Sequence, residues 1–178
     1  MIIFGMDPGT KVTGYGIVKY DKNALSCIAK GIIVPSVALS LPYKLQKIYD
    51  EIESLLKIYK PDEFAVEAQF MGKNIQSALK VGYVKGIAML AAVRNGVCVA
   101  EYSPREVKKS VTGKGAASKE QVQYMIRHLL RLDDEKIALD ASDAMAIAVC
   151  HAFKIKSATP RSASWKDFAA ANPDRIIG

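Results

Sequence analysis

The sequence predicts an α/β domain with a mixed five-stranded sheet and helices packed on both of its faces. Three strand-like segments come first, strand-like and helical segments then alternate, and the chain closes with helical segments. With 178 residues and 50% hydrophobic content, the chain can bury one sizeable core without disulfides. We therefore expect a single compact domain over residues 1–153.

The first part of the chain is predicted to supply three antiparallel strands and one helix. Apolar residues 2–6 end at a tight Asp7-Pro8-Gly9-Thr10 turn, and two further strands are expected at 13–20 and 25–34. Apolar side chains then recur at spacings of four and three from Leu41 to Tyr59. This spacing places them on one face of a helix that packs against the sheet.

The second part is predicted to alternate strands with helices and to end in a tail. The expected strands lie at 63–68 and 97–102, and the expected helices lie at 73–95, 105–111, 118–132 and 140–153. Each of the two short helices follows a serine that can serve as its N-cap. Residues 154–178 have Ser, Thr, Pro and scattered charge without an apolar period, which predicts a flexible C-terminal tail.

Composition narrows the possible partners and locations. Lys and Arg outnumber Asp and Glu by 25 to 18, which favours a polyanion, and nucleic acid leads because no helix pairs an apolar face with a dense basic face. Without a predicted membrane span or signal segment, we expect a cytoplasmic protein. Cys27, Cys98 and Cys150 are odd in number and have apolar neighbours, which predicts reduced core thiols.

Four acidic side chains form the candidate reaction centre of this basic chain. Asp7 and Glu67 each end an apolar strand, whereas Asp140 and Asp143 lie one turn apart at the start of an apolar helix. Carboxylates that converge at the edge of a core repel one another unless a cation lies between them. Oxygen ligands suit Mg²⁺ or Mn²⁺, so the pattern predicts metal-assisted hydrolysis of phosphodiesters.

Each acid also has an ordinary structural explanation. Asp7 can be a turn residue, and Glu67 can face water at a sheet edge. Asp140 or Asp143 can cap the helix and stabilise its macrodipole. Two alternative functions stay open on these grounds: a nucleotide-binding phosphotransferase or ATPase of the actin-like group, or a non-catalytic DNA-binding protein.

Several motifs surround these acids in a fixed order. They are Asp7-Pro-Gly-Thr with Thr13-Gly-Tyr-Gly, Glu67-Ala-Gln-Phe-Met-Gly-Lys-Asn with Ser77-Ala-Leu-Lys, Tyr102-Ser-Pro-Arg-Glu-Val-Lys, and Asp140-Ala-Ser-Asp-Ala-Met-Ala-Ile-Ala. Over about residues 1–153, the chain thereby resembles the RuvC family of bacterial Holliday junction resolvases. The resemblance implies a ribonuclease H-like fold, a homodimer, and four-way junction DNA as the substrate.

The resemblance also implies how the acids are used. The metal ligands of the family fall on Asp7, Glu67, Asp140 and Asp143, with Asp7 expected to bridge two Mg²⁺ ions that Mn²⁺ can replace. Paired symmetric nicks would leave 5′-phosphate and 3′-hydroxyl ends during recombination and repair. Cooperation with the RuvA and RuvB branch-migration complex is expected, and no membrane partner.

Basic and aromatic side chains are predicted to hold the DNA. A basic path along the phosphate backbone is suggested by Lys73, Lys80, Arg105, Lys108, Lys109, Lys114 and Lys119. By resemblance, Lys119 is the catalytic lysine near the scissile phosphate, Lys108 is a second basic residue there, and Phe70 stacks at the crossover. Gly82 and Gly86 would allow close approach of the sheet or of a second subunit, and the resemblance favours the subunit.

Overall fold

Five strands of the chain form one mixed sheet. The computed structural model describes residues 1–68, 75–132 and 136–157. The strands are β1 (Ile2–Asp7), β2 (Thr13–Asp21), β3 (Ala24–Ile33), β4 (Glu63–Glu67) and β5 (Cys98–Tyr102). Their order across the sheet is β3-β2-β1-β4-β5, in which β1, β2 and β3 pair antiparallel while β4 and β5 extend the sheet in parallel with β1.

Helices cover both faces of this sheet, as predicted. Within the described ranges they are α1 (Leu41–Tyr59), α2 (Ile75–Arg94), α3 (Pro104–Thr112), α4 (Lys119–Leu130) and α5 (Leu139–Ser157). Because strand side chains alternate, β1 sends Phe4 and Met6 into the core under α1 and α2, and Ile3 into the core under α3, α4 and α5. The two cores lie on opposite sides of the sheet.

The helix α5 is buried on nearly all sides and lies directly against β1 and β2. Three glycines of these strands face it, and a Cβ atom on Gly14 would collide with the carbonyl oxygen of Asp140. A Cβ atom on Gly5 would similarly strike the Ala144 carbonyl oxygen. The missing side chains let the helix axis approach the sheet closely, which places the first turn of α5 beside the end of β1.

Most predicted elements agree with the structure, with differences at their ends. The last helix continues to Ser157 instead of ending at residue 153, and residues 158–178 of the predicted tail lie outside the described residues. The long second helix is described from Ile75 to Arg94. On α1, Leu56 is buried although it lies off the predicted stripe, because it follows Ile52 by one helical turn and packs in the core shared with α2.

The three cysteines differ in exposure. Cys150 is buried and Cys27 is half-buried, whereas Cys98 is exposed. The core prediction is therefore wrong for Cys98, which begins β5 at the edge of the sheet, where one flank has no neighbouring strand. No disulfide joins these three described cysteines. Among the helices described, none is long and apolar enough to cross a bilayer.

Candidate active site

Two of the four acids lie side by side at one edge of the sheet. Asp7 is the last residue of β1 and Glu67 is the last residue of β4, and these strands pair in parallel with Met6 opposite Val66. Neighbouring strands are about 4.8 Å apart, so the two carboxylates leave the sheet next to each other. The strand ends thus deliver the pair that the sequence predicted.

The first turns of α5 bring the other two acids to the same edge. A cavity of about 320 Å³ opens there, and it is lined by Asp7, Glu67 and Asp143 together with two lysines. Asp140 does not line this cavity, although its charge acts on Asp7. The structure therefore gathers all four predicted acids, three of them on the cavity wall.

The protonation of Asp7 reflects this crowding. Burial and the negative charges of Glu67, Asp143 and Asp140 raise the pKa of Asp7 from 3.8 to about 7, and the charge of Lys119 opposes the rise. Burial and the charge of Asp143 likewise raise the pKa of Glu67. Both pKa shifts arise first from burial of the carboxylates, and the neighbouring negative charges, which the lysines only partly offset, add to them.

Lys119 supplies part of the balancing charge. Its Nζ donates a hydrogen bond to Asp143 Oδ2 at 2.9 Å, and this contact raises the pKa of the lysine. Lys119 is the first residue of α4, whose start is set by a capping box between Ser118 and Gln121. The capped end of α4 thereby directs a positive charge at the first turn of α5.

The donor set of the cavity fits a hard divalent cation. Its ligating groups are carboxylates, which suit Mg²⁺ or Mn²⁺. Within the described ranges, however, no three His, Cys, Asp or Glu side chains converge closely enough to hold an ion in the conformation shown.

The predicted DNA-binding residues fall into two groups. Lys108 lines the acidic cavity with Lys119, and Arg105 lies next to it on α3, where its side chain packs over Gly115. Lys114 follows in the loop between α3 and α4. These residues share one side of the molecule with the acids.

Two other predicted residues are not brought to the cavity. Lys109 lines a separate cavity with Glu106 and Lys154, and Lys80 is exposed on α2, on the other face of the sheet from α3 and α4. Phe70 and Lys73 lie outside the described residues. The described basic residues of the predicted path therefore do not all lie beside the acidic cavity, and their role in DNA binding stays a prediction.

Sequence reasoning missed the apolar walls of the cavity. They are formed by Pro104, Val107, Val122, Ala146 and Ile147. Two of these wall residues could have been predicted from the sequence. Val107 and Val122 each follow the N-cap serine of a capping box by four residues, a position whose apolar side chains commonly pack inward. The walls reduce the water around the acids and strengthen their interactions.

A buried histidine lies behind the site. His151 Nδ1 is 2.7 Å from the hydroxyl oxygen of Tyr102, which is paired with Glu67 across β4 and β5. Burial lowers the pKa of His151, so the ring is neutral at physiological pH. This contact ties α5 to the end of β5 without placing the histidine among the acids.

Comparison with known proteins identifies the family. A model of the family described as crossover junction endodeoxyribonuclease RuvC matches residues 3–151. A protein of that description from Chloroherpeton thalassium is 42% identical over 185 aligned residues, covering 99% of this chain and 100% of the relative. One from Pelobacter propionicus is 45% identical, covering 94% of this chain and 99% of the relative.

Solved structures agree with this assignment and with the predicted ribonuclease H-like fold. Thermus thermophilus RuvC in complex with a Holliday junction substrate superposes with a TM-score of 0.83 at 31% identity, covering 88% of this chain and 95% of that one. The yeast mitochondrial Holliday junction resolvase Ydc2 has a TM-score of 0.61 at 12% identity, which shows a shared fold alone. The chain belongs to the RuvC family of crossover junction endodeoxyribonucleases.

Proposed function

We propose that this chain resolves Holliday junctions as a metal-dependent endonuclease, by paired symmetric nicks during recombination and repair. The observation that carries the proposal is the cavity where Asp7, Glu67 and Asp143 meet Lys108 and Lys119. Carboxylates and lysines in one cleft suit a polyanionic substrate, because the lysines attract its phosphates and the carboxylates can hold metal ions beside them. Family membership makes the junction the substrate of choice.

The acids of the cavity would hold the metal. Nucleases of this family depend on divalent metal ions, and we propose two Mg²⁺ per site, replaceable by Mn²⁺. Asp7, Glu67, Asp140 and Asp143 would be the ligands. Bound metal would supply an activated water and stabilise the leaving 3′ oxygen, so that cutting would leave 5′-phosphate and 3′-hydroxyl ends.

The chain itself prepares the site for this chemistry. Asp7 must lose its proton before it can ligate a cation, so its raised pKa couples loading to pH. Lys119 contacts Asp143 at 2.9 Å, and if Asp143 held a cation, the ammonium group of Lys119 would be available to a phosphate oxygen. Lys108 offers a second positive charge on the same wall.

A second copy of the chain is the proposed partner of α2. Its outer surface carries a row of exposed apolar side chains at helical spacing, made of Ile75, Leu79, Tyr83, Leu90 and Val93. A Cβ atom at Gly82 or Gly86 would meet nothing within 4 Å, so the same surface has room for close approach. A two-fold dimer would present two sites to the junction, as paired nicks require.

The remaining partners and the location follow from family membership. We propose that the enzyme works in the cytoplasm with the RuvA and RuvB branch-migration complex. A nucleotide-binding phosphotransferase is less favoured, because nucleotide sites of the actin-like group need two such domains and the described residues form one sheet. A non-catalytic DNA-binding role would leave the crowding of acids around Asp7 without a purpose.

Cleavage of a synthetic four-way junction, compared with linear duplex, tests the proposal. With Mg²⁺ or Mn²⁺ the chain should nick the junction symmetrically, and with chelator it should not cut. Asp7→Asn should keep junction affinity but lose cutting by at least about 10²-fold, because a proposed ligand is removed. Asp50→Asn, an exposed acid on α1, is the matched control. Equal cutting by Asp7→Asn and the parent would contradict the site.

A further inference from the structure

A second cavity lies beside the acidic one, along another face of α4. Its volume is about 400 Å³, within the range of roughly 300–1,000 Å³ that small-molecule sites occupy. Ala117, Tyr124 and Met125 form its apolar lining, and Lys114, Glu120 and Gln121 are its charged and amide groups. None of these residues lines the acidic cavity.

Hydrogen bonds hold the rim of this second cavity in place. The Thr112 hydroxyl oxygen lies 2.8 Å from the Lys108 carbonyl oxygen, and the Lys114 amide donates to the same hydroxyl at 3.2 Å. Gly113 between them adopts a positive φ of 77° and closes α3. On the other side, Gln121 Oε1 accepts from the Ser118 amide at 2.9 Å. The cavity is therefore a built feature of the α3–α4 connection.

The lining chemistry selects a flat, uncharged group with an attached anion. Tyr124 is 69% exposed, so its ring is available for stacking, with Met125 beside it. A hydrogen bond from Ser118 lowers the pKa of Glu120, which is thus ionised and repels a phosphate inside the cavity. Lys114 at the rim instead attracts one. Nucleobases combine a stacking face with a phosphate on the same nucleotide.

We propose that this cavity receives one unstacked base of the junction DNA, stacked on Tyr124, close to the strand that is cut. The inference rests on the proposed function and adds a base-binding site to it. Lys119 contacts the acidic site, and Tyr124 follows it by five residues on α4, about 7.5 Å along the helix axis. Five residues also turn about 140° around the helix, so the full separation is larger than this rise, and the base would lie several nucleotides from the nick.

Such a site would also give the enzyme a sequence preference. Bases at a branch point are already poorly stacked, so the free energy needed to unstack one and move it into a cavity is lowest there. Glu120 can accept from an exocyclic amino group, as a carboxylate does from cytosine, and the Gln121 amide can contact a second edge atom. We therefore expect preference for a base that carries an exocyclic amine.

Junctions with a single abasic position, stepped through the nucleotides around the branch point, test this proposal. Affinity is measured without divalent metal, and nicking is measured with Mg²⁺. The parent should lose at least about fivefold in affinity at one abasic position, the equivalent of one lost stacking contact. On the intact junction, Tyr124→Ala should bind at least about fivefold more weakly than the parent. Its affinity should not fall further when the critical base is removed. Tyr124→Phe should keep the parental dependence of affinity on the abasic position.

A distant tyrosine provides the matched control. Tyr43 is 62% exposed on α1, so Tyr43→Ala should behave as the parent on every junction. A Tyr124→Ala profile identical to the parental one, or an equal loss at all abasic positions, would overturn the base-binding site. If the parent binds junctions without cutting them, the proposed function is contradicted. The affinity comparison between the parent and Tyr124→Ala would still show whether the cavity binds a base. A parent without junction affinity would overturn both.

Discussion

At the scale of single residues, Asp7 has the most consequential environment. It is largely buried at the end of a strand and shares its surroundings with three other carboxylates, which together raise its pKa to about 7. The folded chain thus keeps a proton on Asp7 at pH values where an unfolded chain has already lost it. With the proposed ligand role, this single group would link protonation, metal loading and stability.

The first consequence concerns pH and cutting. At limiting Mg²⁺, the cutting rate should rise with pH through about 7, because Asp7 must be ionised to ligate the cation. Saturating Mg²⁺ should shift the midpoint to lower pH, since the cation competes with the proton. Rates across a pH series at two Mg²⁺ concentrations check this. A midpoint that does not respond to Mg²⁺ would contradict it.

The same shift has a definite sign for metal-free stability. Between pH 3.8 and about 7 the unfolded chain loses the Asp7 proton while the folded chain retains it, so the unfolding free energy falls as pH rises through this window. Asp7→Asn should therefore be more stable than the parent at pH 8, by roughly 1–3 kcal/mol, with a smaller gain near pH 5. Urea unfolding in chelator measures both.

At the scale of elements, two capped helices bring positive charge to the acids. α3 and α4 each begin with a complete capping box, formed by Ser103 with Glu106 and by Ser118 with Gln121. These boxes fix where each helix starts and therefore where its first basic side chains lie. Lys119 reaches Asp143 because it is the first residue after such a start.

The two boxes allow a matched comparison. Ser118→Ala and Ser103→Ala should each lower the unfolding free energy by about 1 kcal/mol, because each removes one N-cap hydrogen bond. Only Ser118→Ala loosens the start of the helix that carries Lys119, so it should lower the cutting rate more strongly. Thermal unfolding and junction nicking of both variants provide the test. Equal effects on cutting would show that α4 does not position the lysine through its cap.

At the scale of the whole molecule, the two faces of the sheet carry different kinds of surface. The face under α3, α4 and α5 carries the acids and their lysines, whereas α2 on the other face presents exposed apolar side chains. An exposed row of apolar side chains on a helix is typical of an interface. In the proposed function, the sheet would thus separate the cutting site from the surface that pairs with a second copy.

A charge on the α2 row should disrupt that pairing. Leu79 is 53% exposed, and Leu79→Glu should convert a dimer into a folded monomer because the carboxylate would be buried against the partner. Sedimentation and the symmetry of junction nicks measure the outcome. Ile58→Glu, at a site 65% exposed on α1, is the control and should leave the dimer intact. A parent that sediments as a monomer would contradict the interface.

Local patterns predicted much of this architecture, and distant contacts account for the rest. Asp7 and Glu67 were identifiable because a charge that ends an apolar strand is a local signal. The 2.9 Å contact of Lys119 with Asp143 joins residues 24 apart, so no local pattern indicated it, and the family resemblance singled out Lys119 without its partner. Cys98 was assigned to the core because its sequence neighbours are apolar. Those neighbours do not reveal the order of strands in the sheet, which makes β5 an edge strand.

The glycine contact beneath α5 restricts how this protein can change. The atoms that a methyl group on Gly14 would strike belong to the main chain of Asp140 and Ala141. Trimming a neighbouring side chain cannot create space there, because every residue has the same backbone atoms. A genetic selection for suppressors of Gly14→Ala should therefore return only revertants at position 14. Compensating substitutions at other positions are not expected.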